Sequence, residues 1–306
     1  MGKDKSKLGR ECPLPMNDKY NNDRKTGEMK KEFTDLSLEF EKLVKSESTK
    51  LGLESAYDVV ANEMPCFKTI NYTEYAGGFI LHPLQLEFRV SQMIEAFYDK
   101  DSQTSNIDYI AHLGEKVRGK KSNKYVNIDT KNVRRPPAEV LIVLPGSNRL
   151  DKVSSAKLKY IKNSHDDVLV KPHPITTFRK VGEVMDLFGE KKVLHKSEDM
   201  YGYLLEADII YTSMLSESVA YAVALGKRVE PIDKYHDTPR GSFYHINRFL
   251  FHESDPSEWL QTTFNSYKSG VIYPDIDDNW RQKVIDYLGF INDKRKKYSN
   301  KYIKDK

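Results

Sequence analysis

A parallel α/β sheet is written into the second half of this 306-residue chain. Three observations carry that reading. Short aliphatic runs, Val140-Leu141-Ile142-Val143-Leu144, Val168-Leu169-Val170-Lys171 and Asp208-Ile209-Ile210-Tyr211-Thr212, each stop abruptly at proline or polar residues, as buried parallel strands do at their carboxyl ends. Segments with apolar residues at helical spacing separate them. The connections are short, which is the alternation of a sheet covered by helices on both faces.

Taken in order, residues 1–31 are polar, charged and broken by Pro13, Pro15 and Gly27, and read as a disordered basic tail. From Glu32, the residues Phe33, Leu36, Phe40, Leu43 and Val44 recur at three- and four-residue steps and predict a helix. A second helix is expected over 55–63, then extended structure over 66–81, bent at Gly77-Gly78. Helices over 84–98 and 107–117 precede a basic linker that ends at Pro136-Pro137, so residues 32–135 read as a smaller, helix-rich first domain. Residues 136–292 form the Rossmann-like second domain. It is expected to hold strands at 140–144, 168–171, 193–196, 208–212 and 228–232, with helices over 152–162, 178–188, 200–206 and 217–225 between them. Residues 233–248, rich in His, Asp, Asn and Arg, read as a lid. Closing helices over 256–267 and 278–291 carry Trp259 and Trp280, and residues 293–306 read as a second basic tail.

Ligands in open α/β sheets bind beyond the carboxyl ends of the strands, so the residues at those ends are the candidates for chemistry. After the first strand, the Gly146-Ser147 turn lets backbone approach a diphosphate, and Arg149 can pair with it. After the second stand Lys171 and His173, able to donate hydrogen bonds to phosphate oxygens, and His173 is also a candidate to give a proton to a leaving phosphate. After the 208–212 strand come Ser213, Ser216, Glu217 and Ser218, at the start of a helix whose unpaired N–H groups favour an anion.

The order strand, His173-Pro174, strand, serine-containing loop, helix, Gly226-Lys227 resembles the nucleotide-sugar-binding domain of GT-B glycosyltransferases. Capsule-polymer and polysialyltransferase-like enzymes, which carry a His-Pro and a Ser-Ser motif, are the nearest match in kind. The resemblance covers Glu139 to Asp233. It implies that His173 meets the donor phosphate and that serines at the helix start hold the same group; Ser216 falls on the first serine and Glu217 on the second. It also implies a GT-B-like architecture, a nucleotide sugar as donor substrate with no separate cofactor, and inverting transfer to a hydroxyl. Such transfer needs a carboxylate to deprotonate the acceptor. Glu74, beside Gly77-Gly78, is the first candidate for that base, with Glu63 and Glu87 as alternatives.

Composition narrows the setting. No run approaches the ~20 apolar residues of a membrane span, the first residues lack an apolar signal core, and the two cysteines, Cys12 and Cys66, make neither a disulfide framework nor a metal set. These features point to the cytoplasm, and no Asp-X-Asp pair stands at a strand end to call for a metal. The net charge of +4 is concentrated in basic segments, which keeps two acceptors open: a glycan, or hydroxymethylated DNA of the kind that phage GT-B enzymes modify. A nucleotide-sugar epimerase and a non-catalytic nucleotide- or nucleic-acid-binding protein are the remaining readings.

Overall fold

The segments expected as strands at 140–144, 168–171, 208–212 and 228–232 become four parallel strands, and the register leaves their carboxyl ends at one edge of the sheet. The computed structural model describes residues 28–57, 69–84, 86–119, 136–174, 176–196, 198–234 and 243–304. The chain opens with α1 (Glu28–Lys50), β1 (Glu54–Tyr57), β2 (Thr69–Tyr75), β3 (Gly78–Pro83), α2 (Leu86–Tyr98) and α3 (Tyr109–Arg118). There follow β4 (Val140–Val143), α4 (Ser155–Ser164), β5 (Val168–Lys171), α5 (Phe178–Phe188), α6 (Met200–Glu206), β6 (Ile209–Thr212), α7 (Ser218–Ala224) and β7 (Arg228–Pro231). The described chain finishes with α8 (Tyr244–His252), α9 (Pro256–Asn265), β8 (Val271–Ile272) and α10 (Trp280–Lys304).

Helix starts follow local chemistry. Asp108, Ser154, Asp199 and Asp255 each accept a backbone N–H from the first turn of α3, α4, α6 and α9, and Pro256 opens α9, where its missing N–H costs nothing.

The second sheet has the order β5-β4-β6-β7; β4, β5 and most of β6 are buried, while β7 is the more exposed edge. Strand alternation sends Val140, Ile142, Val168, Val170 and Tyr211 into one core with α4 and α5. Leu141, Val143, Leu169 and Ile210 face the other way, into the larger core that α3, α6, α7, α8 and α9 share with the first sheet. The strand expected at 193–196 is reduced to one bridge between Val193 and Val170. Its continuation fails because the N–H of His195 is taken by the Glu198 side chain, 2.6 Å away, rather than by a neighbouring strand.

The first half holds more sheet than expected. Its order is β1-β2-β3-β8, with β1 parallel to β2 and the rest antiparallel. Residues 54–57 are strand where a helix over 55–63 was expected, because they pair with Thr69 to Tyr72 and Tyr57 packs edge-on against Tyr72. Residues 58–68, including Glu63, lie outside the described residues, as do the tail residues 1–27 and the linker residues 120–135. The fourth strand comes from far along the chain: Val271 and Ile272 pair with Ile80 and Phe79. On the outer face, α1 and α10 cover the sheet, with Phe40 stacked on Phe79 and close to Trp280. α10 runs on to Lys304, through residues read as a basic tail, and Lys294 within it pairs with Glu95 of α2.

Residues 244–248, expected to belong to a lid, instead open α8 (Tyr244–His252), whose Ile246 and Leu250 are buried in the shared core. Residues 235–242 lie outside the described residues. Among the described residues no helix is long and apolar enough to cross a membrane.

Candidate functional site

From β4 the chain passes to β5 on one side, then returns to β6 on the other, so the strand order reverses beside β4. The loops after β4, β5 and β6 therefore leave the sheet at one carboxyl edge, where open α/β sheets have their ligand crevice. These are the loops that carry the expected donor contacts.

The loop after β4 is an ordinary one for its backbone. Gly146 has φ −59°, a conformation open to any residue, and its carbonyl accepts from the N–H of Arg149 at 2.8 Å. Ser147 opens the short 3₁₀ turn Ser147–Lys152, and Arg149 is partly exposed. The end of that turn is tied to the loop after β7, by Ser154 N–H to Ile232 and by Lys234 N–H to Lys152.

Lys171 is nearly fully buried, and its ammonium donates to the carbonyls of Pro172 (2.7 Å) and Lys196 (2.8 Å). Burial pulls its pKa down to about 7, against the opposing pull of Glu198 and Asp199. It thus fastens two neighbouring loops together. His173 is partly exposed, and its carbonyl holds the turn by accepting from Thr176 N–H at 2.8 Å.

The loop from Ser213 to Ser218 is held from within. The Ser213 hydroxyl donates to Asp233 (2.7 Å) and accepts from Leu215 N–H (3.1 Å), while the other oxygen of Asp233 accepts from Met214 N–H at 2.5 Å. Burial pushes the Asp233 carboxyl up. The hydroxyls of Thr212, Ser218 and Ser216 form a chain, with steps of 2.9 and 2.7 Å, and Ser216 also caps the N–H of Ser218. Of the three serines, Ser213 and Ser218 are buried and Ser216 is partly exposed.

Glu217 does something the spacing gave no sign of. Its carboxylate accepts the N–H of Ala76 at 2.9 Å, joining the crevice loop to the β2–β3 turn of the other sheet. Ala76 is the non-glycine residue with positive φ, 49°, among the described residues, a left-handed conformation that costs about 1–2 kcal/mol. The turn is held by Glu217 on one side and by the Tyr273 hydroxyl, which donates to the Ala76 carbonyl at 3.3 Å, on the other. Beside it, the Tyr75 hydroxyl donates to Asn247 Oδ1 at 2.7 Å, and Asn247 Nδ2 donates to the carbonyls of Met214 and Ser216, both at 2.8 Å. Asn247, Asp233 and Tyr75 are thus the residues that shape the crevice loop; Asp233 and Asn247 fell within the segment expected to be a lid, and none of the three was expected in this role. The one local signal for Asn247 was a short amide set among Ile246, Phe249 and Leu250 at helical spacing, where a buried polar group must be hydrogen-bonded.

Glu74 is not brought to the crevice. Strand alternation puts it on the face of the first sheet shared by Ile70 and Tyr72, directly opposite Phe79 in the register, and that face meets α1 and α10. Asn71 and Tyr75 take the face turned toward the second sheet. Glu87 belongs to the first turn of α2. Glu198 and Asp199 have structural roles: Glu198 accepts from His195 N–H and from the Tyr203 hydroxyl, and Asp199 caps α6. Among the described residues no three His, Cys, Asp or Glu side chains gather as a metal site.

No protein-family model matches the chain, and no curated protein sequence does. Among solved structures, the fold is similar to that of Thermosulfurimonas dismutans KpsC, a beta Kdo 2,4 transferase, with 14% identity over 72% of this chain and 79% of that one, and a TM-score of 0.37.

Proposed function

We propose that the protein is a nucleotide-sugar-dependent glycosyltransferase whose donor phosphate binds at the carboxyl edge of the second sheet. The observation that carries this reading is that the loops after β4, β5 and β6 leave the sheet at one carboxyl edge, beside the point where the strand order reverses, with Arg149, His173 and Ser216 partly exposed on them. In this reading the Gly146-Ser147 turn and these three side chains meet the phosphates, and Lys171, Ser213 and Ser218 set the shape of the loops. Transfer is inverting. The acceptor oxygen attacks the anomeric carbon as the bond to the nucleotide breaks, the acceptor proton passes to a carboxylate, and Arg149 and His173 stabilise the charge that develops on the departing phosphate. With Glu74 turned to the other face, the carboxylate best situated for that proton is Glu217, which joins the crevice loop to the first sheet. The acceptor is a glycan or a hydroxymethylated base in DNA.

The test is a panel of UDP-, CMP-, GDP- and CDP-sugars, assayed for thermal stabilisation and for nucleotide release with and without hydroxymethylated duplex DNA. A donor should stabilise the wild type and fail to stabilise His173→Ala, and Glu217→Gln should bind that donor with its nucleotide release suppressed. Absence of stabilisation by every nucleotide sugar overturns the proposal.

A further inference from the structure

α4 covers the side of the second sheet turned away from the first sheet, and it carries three lysines and no acidic residue. Ile161 is its buried anchor. At 3.6 residues per turn the opposite half of the helix presents Lys159, Tyr160 and Lys162, all exposed. Lys159 and Lys162 are neighbours on that face, and among the described residues neither forms an ion pair. The acidic residues nearest in sequence stand at the two ends. Asp151 lies 3.6 Å from Lys152, and of Asp166 and Asp167 the second accepts the N–H of Glu139 at 2.9 Å.

Tyr160 sets this face apart from an ordinary solvated run of lysines. Its ring is 59% exposed, which leaves much of a large apolar surface in water. The Lys157 ammonium lies 5.7 Å from the centre of that ring and 5.4 Å from the ring of Tyr211, which is buried and has its hydroxyl 3.4 Å from His165 Nε2. Arg228, at the start of β7, is within electrostatic range of Tyr160, and its side chain is 67% exposed. Glu230 is shared between Arg228 at 2.9 Å and Lys157 at 4.0 Å, so this flank keeps a positive charge beside the ring.

We propose that the exposed face of α4, flanked by Arg228, binds single-stranded nucleic acid. Lys159, Lys162 and Arg228 meet backbone phosphates, and Tyr160 stacks on a base. Every base offers a π face to such a ring, and a single strand leaves that face open. The interface is separate from the carboxyl-edge site and stands whether or not that site binds a nucleotide sugar.

The experiment uses the full chain and fluorescein-labelled oligo(dT), with anisotropy followed over a range of salt, and heparin as an anionic polymer without bases. The logarithm of the oligo(dT) affinity should fall linearly with the logarithm of salt concentration, and the double variant Lys159→Gln, Lys162→Gln should reduce that slope by about 1.4, ~0.7 for each phosphate contact. Tyr160→Ala should weaken oligo(dT) binding about tenfold and leave heparin binding unchanged. These side chains are exposed, so melting temperatures should match the wild type, and His173→Ala should bind oligo(dT) normally. No binding of oligo(dT) at about 50 mM salt overturns the proposal. Undiminished binding by the α4 variants also overturns it, because the contact then belongs to basic segments elsewhere in the chain. Equal losses of heparin and oligo(dT) binding in Tyr160→Ala overturn it in favour of an acidic glycan.

Discussion

Replacing Asn247 by alanine removes three hydrogen bonds from the place where the two sheets meet. Its Oδ1 accepts from Tyr75 at 2.7 Å and its Nδ2 serves the Met214 and Ser216 carbonyls at 2.8 Å each. The Tyr75 hydroxyl and Asn247 are both fully buried, so water does not readily replace the lost amide. Each buried polar group deprived of its partner costs about 1–3 kcal/mol, and with partial relaxation the sum for Asn247→Ala is about 3 kcal/mol. The assay is urea unfolding, where the midpoint should fall with the slope unchanged. Tyr75→Phe breaks only one of the three bonds and should cost about 1 kcal/mol. Because the two residues share a bond, the double variant should cost clearly less than the sum of the single ones. A loss below about 1 kcal/mol for Asn247→Ala, or simple additivity, refutes the idea that this amide couples the loop to the first sheet.

Two further outcomes follow from the buried Lys171 and from the glycine that lies against β3. With the folded pKa of Lys171 at about 7 and an ordinary lysine near 10.4 in the unfolded chain, only the unfolded chain binds the proton between those values, so stability rises with pH across that window. The stability of the wild type relative to Lys171→Met should therefore grow from about pH 7 to pH 10, and urea midpoints giving a constant difference would show that the ammonium is not held in this way. Lys283, lowered by burial to about 8, adds a rise of the same sign that cancels in the comparison. Gly270 has φ 70° and lies against β3, where an added Cβ would collide with the Leu81 carbonyl and the Tyr287 ring. Gly270→Ala should lower stability by more than the ~1–3 kcal/mol of the backbone strain alone, and a thermal midpoint equal to that of the wild type contradicts the close approach.

What the sequence determined by itself is the second sheet and its helices. A parallel strand buried on both faces must be apolar throughout, so residues 140–143, 168–171 and 209–212 announce themselves locally, and aspartate or serine caps announce the helices that follow. The carboxyl-edge residues Gly146, Arg149, Lys171, His173 and Ser216 came from the same local signals. Tertiary structure alone decided the rest, because the partners are remote. β8 is two residues long and is a strand only because β3 offers it a free edge. The 54–57 segment is a strand because β2 lies beside it. Glu217 and Ala76 are 141 residues apart, and Tyr75 and Asn247 are 172 apart, so nothing near either member of a pair encodes the other. Which face Glu74 occupies depends on a register in which one residue of slip reverses every side chain, and that register is set by Phe79 meeting Phe40 and by Tyr75 meeting Asn247 across the sheet.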